Sequence, residues 1–518
     1  MTVGFFTLVA FCALVLVLVP GARFALVLVW HYGKAVAIGY GLGKSPNARQ
    51  VKSPEGKRTA DAEPAWEFYL MGQAWRDVQH VHSAGAKSLW AAVVERSKVL
   101  RERHFVHPDE AHAKANPRWR GVIGYFGVGV GLVLAVPVLL LASVSAVSVL
   151  GVLLLVSLGT LYVLRAVDTV VLRVRGIRMT CNTCGLRVTF ALYGCPGCKT
   201  LHGNVRPGRY GMLYRRCRCG MTFPSLMVLT ALVRRPGRKP TLWCPHSDTP
   251  HQLSDDSGST PEIVLPVFGA TSAGKSQLIT VFIIALEAIA TRSSGKFAYA
   301  DQSTRDRATN ARLTLETKGE PGKTKAVNRD GGVVAPAYSL RVKPRRGQGK
   351  LVHVFDAAGE IFDGVRQVQE LEYFKIARTF VFVIDPMSIK AVWETFEERR
   401  KEELKDRRAQ PEPFATFNDT VSTMTSMGID MRKVHLAVAV SKADLIRHLL
   451  DDVDTEDPVA IRAWLETLEQ GNLTRAMDLN FKEVSYFLTS ALPDGNHEAH
   501  HSVEKFTEKT LAEEGLRL

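Results

Sequence analysis

The sequence predicts an α/β fold in its C-terminal half, with a mostly parallel sheet flanked by helices, preceded by transmembrane helices and a small zinc-ribbon module. Three observations support this architecture. Long apolar runs occupy the N-terminal third, seven of the eight cysteines lie between Cys181 and Cys244, and short apolar segments that end in Gly, Asp or Ser follow. Because 518 residues are too many for one compact core, several modules are expected.

The first apolar run, VGFFTLVAFCALVLVLV, covers residues 3–19. A cleavable signal peptide would carry Lys or Arg before its apolar region, and none precedes this run. The run therefore predicts a retained membrane anchor within residues 1–30.

A second apolar stretch, residues 121–164, contains no charged residue. One helix of that length would be about twice as long as the ~30 Å hydrocarbon core of a bilayer is thick. We therefore expect a transmembrane hairpin of two helices over residues 121–165, with its turn in the polar-spotted segment LASVSAVSV. A buried soluble hairpin would need polar faces, which this stretch lacks.

The charges flanking these spans predict their orientation. Residues 31–120 carry fifteen Lys and Arg against nine acids, whereas the N-terminus and the hairpin tip carry none. Because positively charged loops stay in the cytoplasm, this loop, which has helical periodicity from Pro64 onward, is expected inside together with everything after Arg165. The chain is thus predicted to be an integral protein of the cytoplasmic membrane, and the modules that follow are predicted to be cytoplasmic.

The cysteine spacing predicts zinc rather than disulfides. In CNTCGLRVTFALYGCPGC, two CxxC pairs separated by ten residues form the zinc-ribbon pattern, because each pair grips one ion from a tight turn. A second set is less regular, since CRC and WCPHS leave the fourth ligand to His246, or to His251 after a loop. The predicted first site is Cys181, Cys184, Cys195 and Cys198, and the possible second site is Cys217, Cys219, Cys244 and His246.

The same module is strongly basic. Residues 171–247 contain fourteen Lys and Arg and no acid, which accounts for nearly all of the chain's net charge of +15. So close to a membrane span, the favoured partner is the anionic lipid of the inner membrane. Nucleic acid is a less favoured alternative, because the aromatic and basic strand pattern of single-stranded nucleic-acid platforms is absent. A protein partner stays open.

The segment EIVLPVFGATSAGKSQLITVFIIAL reads as a strand, a glycine-rich turn and a helix. The turn fits the phosphate-loop (P-loop) pattern GxxxxGKS, whose backbone N–H groups cradle phosphates at a helix N-terminus. Its lysine would add a charge at the phosphates, and its serine hydroxyl would bind Mg²⁺. The residues assigned to nucleotide binding here are Gly269, Ser272, Ala273, Gly274, Lys275, Ser276 and Gln277.

Three later strands end in polar residues suited to the same ligand. LVHVFDAAGE delivers Asp356 to magnesium, and the N–H of Gly359 to the γ-phosphate. HLAVAVSKADLI delivers Ser441, Lys442 and Asp444, whose carboxylate can accept two hydrogen bonds from guanine but not from adenine. SYFLTSAL ends in Ser490 and Ala491, whose backbone N–H could meet the guanine oxygen.

These four motifs, in this order, resemble a Ras-like GTPase domain of the translation-factor-related class, from about residue 262 to the end. Together with the zinc ribbon, GATSAGKS, FDAAGE and SKAD are similar to the bacterial double-GTPase group found in actinobacteria. The resemblance implies a GTP-binding switch that uses GTP or GDP and Mg²⁺, with protein partners such as an activator or a second GTPase.

The sequence departs from this class at two positions. Ser441 replaces the usual Asn or Thr, which weakens guanine preference and leaves an ATP-binding enzyme as an alternative. Glu360 stands where many members carry a water-orienting Gln, and its charge could act as a brake or as a base. Since no Arg finger can be identified in cis, hydrolysis is expected to be slow and partner-assisted, with Lys275 and Glu360 as the catalytic candidates.

The switch threonine that would close over magnesium is not clearly located. Thr324 in PGKT is the candidate, with Thr309, Thr314 and Thr317 as alternatives. A scaffold that binds nucleotide without hydrolysing it also stays open. The expected modules are an anchor (1–30), a cytoplasmic loop (31–120), the hairpin (121–165), the basic zinc-ribbon module (171–257) and a Ras-like GTPase domain (258–518).

Overall fold

The computed structural model describes eleven stretches of the chain. They are residues 2–41, 64–106, 118–232, 239–246, 250–254, 256–318, 327–329, 332–334, 337–356, 373–490 and 499–518. They form two compact units, of which the first contains Met1–Ala166 and Pro207–Arg218, and the second contains Val167–Arg206 and Cys219–Leu518.

Three long helices dominate the first unit. They are α1 (Thr2–Gly39), α2 (Gln73–Arg101) and α3 (Arg118–Val174), the last of which continues into the second unit. Apolar side chains from all three, including Leu28, Leu89 and Val128, share one core. A short strand, Tyr214–Arg216, a 3-10 turn, Tyr69–Met71, and a π-helical turn, Glu102–Val106, complete the described elements of this unit.

Glycines allow α1, α2 and α3 to pack closely. A Cβ on Gly21 of α1 would lie 2.6 Å from Val130 of α3, and a Cβ on Gly85 of α2 would lie 2.8 Å from Tyr32 of α1. Near the other end of α1, the hydroxyl of Tyr32 is 3.1 Å from that of Ser143 on α3. Residue numbers on α1 and α3 therefore increase together, so these two helices run parallel.

The predicted hairpin is wrong, because α3 is one continuous helix of 57 residues. The segment expected to form the turn, residues 141–149, contains only Leu, Ala, Ser and Val. None of these residue types breaks a helix as Gly or Pro does, so backbone hydrogen bonding continues through it. In the described part of the chain, two helices are long and apolar enough to cross a membrane, within Leu14–Gly39 and Arg118–Val174.

The second unit is built on a seven-stranded sheet. In chain order its strands are β1 (Glu262–Gly269), β2 (Lys296–Tyr299), β3 (Tyr338–Lys343), β4 (Lys350–Asp356), β5 (Thr379–Ile384), β6 (His435–Val440) and β7 (Glu483–Leu488). Their spatial order is β7-β6-β5-β1-β4-β3-β2. Neighbours from β7 to β4 are parallel, whereas β3 is antiparallel to both β4 and β2.

Helices cover both faces of this sheet. One apolar core packs α4 (Lys275–Arg292), α5 (Gln302–Lys318) and the C-terminal helix against one face. The other core packs the helices that follow β5 and β6 against the opposite face. The central strands are buried on both sides, as their near-continuous apolar sequences require. The remaining helices of this domain are α6 (Pro413–Ser426), α7 (Pro458–Leu465), α8 (Gly471–Asn480) and α9 (His501–Glu513), with short helices at Lys390–Glu394 and Glu398–Leu404.

The cysteine-rich part of the second unit holds a small antiparallel sheet. The strand Leu192–Gly194 lies between Leu201–His202 and Thr241–Trp243. The strand Thr222–Pro224 and the helix Met227–Leu232 lie between these segments in the sequence. A further described hairpin pairs Val327–Arg329 with Gly332–Val334.

Candidate nucleotide and metal sites

The P-loop connects β1 to α4, as the sequence predicts. Gly269 has φ +151, and a Cβ there would lie 2.4 Å from the carbonyl oxygen of Val383 on β5. Only glycine fits this close approach between the loop and the neighbouring strand. Gly274, with φ +92, is the N-cap residue directly before α4. The resulting cradle of backbone N–H groups suits a phosphate.

The lysine of the P-loop is buried and folds back over it. Lys275 is 7% exposed, and its Nζ donates to the carbonyl oxygens of Gly269 and Ala270, each at 2.9 Å. These bonds fix the ammonium group at the mouth of the loop, where a phosphate would bind. Ser272, Ala273 and Gln277 lie in the loop or in the first turn of α4.

Two oxygen ligands suited to magnesium meet beside the loop. The hydroxyl of Ser276 donates to Oδ2 of Asp356, at the end of β4, over 2.7 Å. Magnesium prefers a carboxylate and hydroxyl or phosphate oxygens near 2.1 Å, so this pair fits the ion when it replaces the hydrogen bond between them. The ion would then neutralise phosphate charge next to Lys275.

The end of β6 packs directly on the P-loop. Oγ of Ser441 lies 2.7 Å from the carbonyl oxygen of Ala273 and 3.1 Å from that of Ile384. Oγ of Ser490, after β7, donates to Oδ1 of Asp444 at 3.2 Å. Asp444 and Ser490 also line a cavity of about 190 Å³. The carboxylate of Asp444 and the end of β7 therefore lie close together, at the position where a nucleotide base would bind.

Some predicted residues cannot be compared with the structure. Thr324, Gly359, Glu360 and Ala491 lie outside the described residues. Their assignments stay predictions.

One residue of the site was missed at the sequence level. Asp385 follows β5 and is 2% exposed, and its carboxylate accepts a hydrogen bond from Nζ of Lys442 at 2.7 Å. The signal was present, because an Asp directly after a buried strand resembles Asp356 at the end of β4. Lys442 also donates to the carbonyl oxygen of Ser272 at 2.9 Å, which joins the ends of β5 and β6 to the P-loop.

The structure pairs the cysteines differently from the prediction. Ligand atoms of Cys181, Cys184, Cys244 and His251 lie within 4.8 Å of one another. The first CxxC pair therefore shares its cluster with Cys244, and not with the second CxxC pair as predicted. The strand before Cys195 is antiparallel to the strand before Cys244, which places these two cysteines at opposite ends of the small sheet. His251 lies in the cluster in place of His246, although His246 Nδ1 remains 3.3 Å from the sulfur of Cys244.

The geometry of this Cys181–His251 cluster suits zinc. Tetrahedral coordination with Zn–S bonds of ~2.3 Å separates two sulfurs by about 3.8 Å, and the sulfurs of Cys184 and Cys244 are 3.8 Å apart. The thiol groups of Cys184 and Cys244 raise the pKa of His251 to about 9. Zinc binding would displace the proton held on His251, because zinc coordinates the neutral imidazole.

A second group of thiols lies at the other end of the small sheet. Cys195, Cys198 and Cys219 belong to one group of candidate ligands, and the sulfurs of Cys195 and Cys219 are 3.5 Å apart. Cys217 precedes Cys219 by two positions and is buried. In the described residues no cysteine forms a disulfide.

The turn that carries Cys181 and Cys184, which we call the first knuckle, packs on the large sheet. The N–H of Thr180 donates to Oε2 of Glu262 at the start of β1 at 2.7 Å. The carbonyl oxygen of Asn182 accepts from the N–H of Ala337 at 2.8 Å. A Cβ on Gly185 would lie 2.7 Å from the ring of Tyr373, so this glycine allows close contact. The first knuckle is therefore integrated into the same compact unit as the sheet.

A parallel sheet whose strand ends combine a P-loop, a Ser–Asp magnesium pair and an SKAD segment defines a P-loop domain of the GTPase class. A family model described as Double-GTPase 2 matches residues 263–507. This match confirms the predicted resemblance of the domain to the double-GTPase group.

Solved structures of GTPases share low sequence identity with the chain. The S. cerevisiae Ski7 GTPase-like domain bound to GTP is 16% identical, with a TM-score of 0.22, over 45% of this chain and 43% of that chain. Sup35 complexed with GDP is 13% identical, with a TM-score of 0.21, over 45% and 38%. The small COPII coat GTPase Sar1 from Encephalitozoon cuniculi, in complex with GDP, is 13% identical, with a TM-score of 0.22, over 50% and 82%. The alignments thus span less than half of the Sup35 and Ski7 chains. No curated protein matches significantly.

Proposed function

We propose that the protein is a membrane-anchored GTP-binding switch whose GTP hydrolysis is slow and assisted by a partner. The observation that supports this most is the junction of three motifs at one edge of the sheet. Ser276 of the P-loop is bonded to Asp356, and Ser441 and Lys442 are bonded to the same loop. Such a junction lets one ligand contact phosphate, metal and base groups together.

The role of each residue follows from the chemical group that it offers to the nucleotide or to the metal ion. Lys275 and the loop amides bind the β- and γ-phosphates, while Ser276 and Asp356 hold magnesium. The carboxylate of Asp444 accepts hydrogen bonds from N1–H and the exocyclic amine of guanine. Gly359 senses the γ-phosphate. Loss of the γ-phosphate after hydrolysis frees the segment that begins at Gly359.

Nucleotide specificity tests the guanine assignment. The full chain, in detergent or lipid nanodiscs, should bind GTP analogues more tightly than ATP analogues. Asp444→Asn should reverse the preference between GTP and XTP, because the amide can donate to the 2-oxo group of xanthine but repels the 2-amino group of guanine. Asp454→Asn, in an exposed turn, is the matched control. Equal binding of GTP and ATP by the wild type would favour the ATP-binding alternative.

An assay of GTP hydrolysis distinguishes a switch from a scaffold that binds nucleotide without hydrolysing it. Catalytic activity is proposed to depend on Lys275 and Glu360, with a partner supplying what the isolated chain lacks. Single-turnover assays should detect slow release of phosphate from GTP. A bound but intact nucleotide after many hours, with or without cellular extract, would favour the scaffold.

The membrane assignment is supported by α1 and α3. Each contains an apolar stretch long enough to cross a bilayer, and both lie in the unit where α1 and α3 run parallel. Parallel spans place the residues after α3 on the side opposite to the N-terminus. With the N-terminus outside, the zinc and GTPase modules are cytoplasmic, at the face where anionic lipids attract their Lys and Arg residues.

Zinc is proposed as the structural metal of both cysteine clusters. The sulfur spacing and the Cys3His donor set support zinc in the Cys181–His251 cluster. In the other cluster we propose Cys217 as the fourth ligand, because one residue separates it from Cys219. A nucleic-acid role for this module would instead require that the full chain bind RNA or DNA more tightly than anionic vesicles at matched salt.

A further inference from the structure

A short segment outside the four motifs contacts the P-loop. Residues 407–410, which we call the strap, follow the charge-dense helix Glu398–Leu404. The surrounding sequence, FEERRKEELKDRRAQPEP, is dense in charged residues. In the structure the strap returns to the nucleotide site, where it meets the P-loop and the end of β6.

Lys442 ties the strap to the site. Its Nζ donates to the carbonyl oxygen of Arg407 at 2.5 Å, in addition to the bonds it makes with Ser272 and Asp385. Oδ2 of Asp385 also accepts a hydrogen bond from the N–H of Ala409 at 2.8 Å. One buried carboxylate and one ammonium group thus hold the strap through its backbone.

Apolar packing and a β-bridge add to these bonds. Ala409 is 2% exposed and belongs to the same apolar cluster as Ala270 and Ala273 of the P-loop. Gln410 forms an antiparallel bridge with Thr271, in the middle of that loop. The strap is therefore one wall of the nucleotide site.

The two arginines of the strap differ in their surroundings. Nε of Arg408 donates to the carbonyl oxygen of Met387 at 2.9 Å, and its guanidinium lies 4.5 Å from the centre of the Trp393 ring. Arg408 thus anchors the strap to the domain. The side chain of Arg407 is exposed, and the bond from its carbonyl oxygen to Lys442 holds its backbone beside the P-loop.

We propose that Arg407 is a phosphate-binding residue supplied in cis, whose guanidinium contacts the β- and γ-phosphates of the bound nucleotide. This inference rests on the proposed function, because it presumes a nucleoside triphosphate in the P-loop. Guanidinium groups bind phosphate oxygens in a bidentate manner and stabilise the charge of a transferring phosphoryl group. In the four motifs only Lys275 and Lys442 carry positive charge. Arg407 therefore adds a further positive charge at the site.

The test compares Arg407→Ala, Arg407→Lys and Arg400→Ala in the full chain. Arg400 is the matched control, because it lies on the preceding helix and pairs with Glu403 at the surface. Affinities for GDP and a non-hydrolysable GTP analogue, and single-turnover hydrolysis of GTP, are measured for each. We expect Arg407→Ala to lower analogue affinity or hydrolysis by about tenfold, with a smaller loss for GDP and partial recovery in Arg407→Lys.

Different failures of this test have different meanings. Equal values for Arg407→Ala and Arg400→Ala would overturn the inference while leaving nucleotide binding intact. An equal loss of GDP and analogue affinity, with a lowered melting temperature, would also overturn it, since that result indicates a structural role. If the wild type binds neither GTP, GDP nor ATP, the proposed function itself fails.

Discussion

Ser441 occupies the position where the related GTPases usually carry Asn or Thr. Its hydroxyl is 3% exposed and lies within hydrogen-bonding distance of Ala273 in the P-loop and Ile384 in β5. The shorter side chain therefore still supports the P-loop, although it cannot extend to the base. In the proposed function, guanine recognition is then left to the carboxylate of Asp444.

Removing this hydroxyl should weaken nucleotide binding. Ser441→Ala leaves the Ala273 carbonyl without a buried donor, which costs about 1 kcal/mol, or about a fivefold loss of affinity. Ser426→Ala, at the exposed end of α6, serves as the control. Titration with a fluorescent GTP analogue measures both, and unchanged affinity in Ser441→Ala would contradict a supporting role.

Glu360 controls the predicted speed of hydrolysis. An ionised carboxylate near the γ-phosphate repels its charge, whereas a Gln amide can orient water without that penalty. We expect Glu360→Gln to raise the single-turnover rate of GTP hydrolysis. A lower rate in Glu360→Gln would show that Glu360 acts as a base.

At the scale of elements, the small cysteine-rich sheet explains why spacing alone grouped the candidate metal ligands differently from the structure. Two consecutive CxxC pairs indicate one metal site only when the strands between them bring both pairs to the same end of the sheet. Here the strands before Cys195 and Cys244 are antiparallel, which separates these ligands and brings Cys244 to Cys181 and Cys184. Pairing of strands so distant in sequence cannot be read from local spacing.

Metal analysis tests the reassigned ligands. We expect the full chain to bind two zinc ions, and His251→Ala to lower the affinity of one of them, because three thiolates alone leave the tetrahedron incomplete. His246→Ala is the matched control and should keep both ions. Zinc stoichiometry after dialysis against a weak chelator measures the difference, and equal loss in both variants would contradict the assignment to His251.

Zinc removal should also affect the GTPase domain. The first knuckle bonds to Glu262 at the start of β1 and to Ala337 just before β3. Because folding free energy of such turns comes from the metal, a strong chelator should release these contacts. We expect a lower melting temperature for the domain, restored when zinc is added back. A melting curve that does not change on chelation would show that the first knuckle packs without metal.

At the scale of the whole molecule, local patterns predicted the GTPase domain well and long-range contacts poorly. The P-loop, the Asp356 strand and the SKAD strand could be predicted because each motif is bounded by its own strand or helix. The strap could not, since a charged segment distant in sequence from residues 269–276 reaches them only in the folded domain. The predicted hairpin failed for a different reason, because the bilayer thickness limits a span but not the length of a helix that continues beyond it.

If α1 and α3 both cross a membrane, their parallel course predicts that the two ends of this helical pair lie on opposite sides. If both helices cross, the chain enters α1 and leaves α3 on opposite sides. The segment between α1 and α3 must then return across the membrane, so the loop 31–120 cannot lie wholly in the cytoplasm as the sequence predicts. Because residues 171–247 carry fourteen Lys and Arg without an acid, the end of α3 should be cytoplasmic. The N-terminus, which has no charged side chain before Arg23, should then be outside.

Protease protection in sealed membrane vesicles tests this topology. In right-side-out vesicles, added protease should spare residues 258–518, whereas in inverted vesicles it should degrade them. A tag at the N-terminus should show the opposite pattern, which controls for vesicle orientation. If the GTPase domain and the N-terminal tag were instead cleaved from the same side, α1 and α3 could not both cross in the parallel arrangement, and one of them would have to be a helix outside the bilayer.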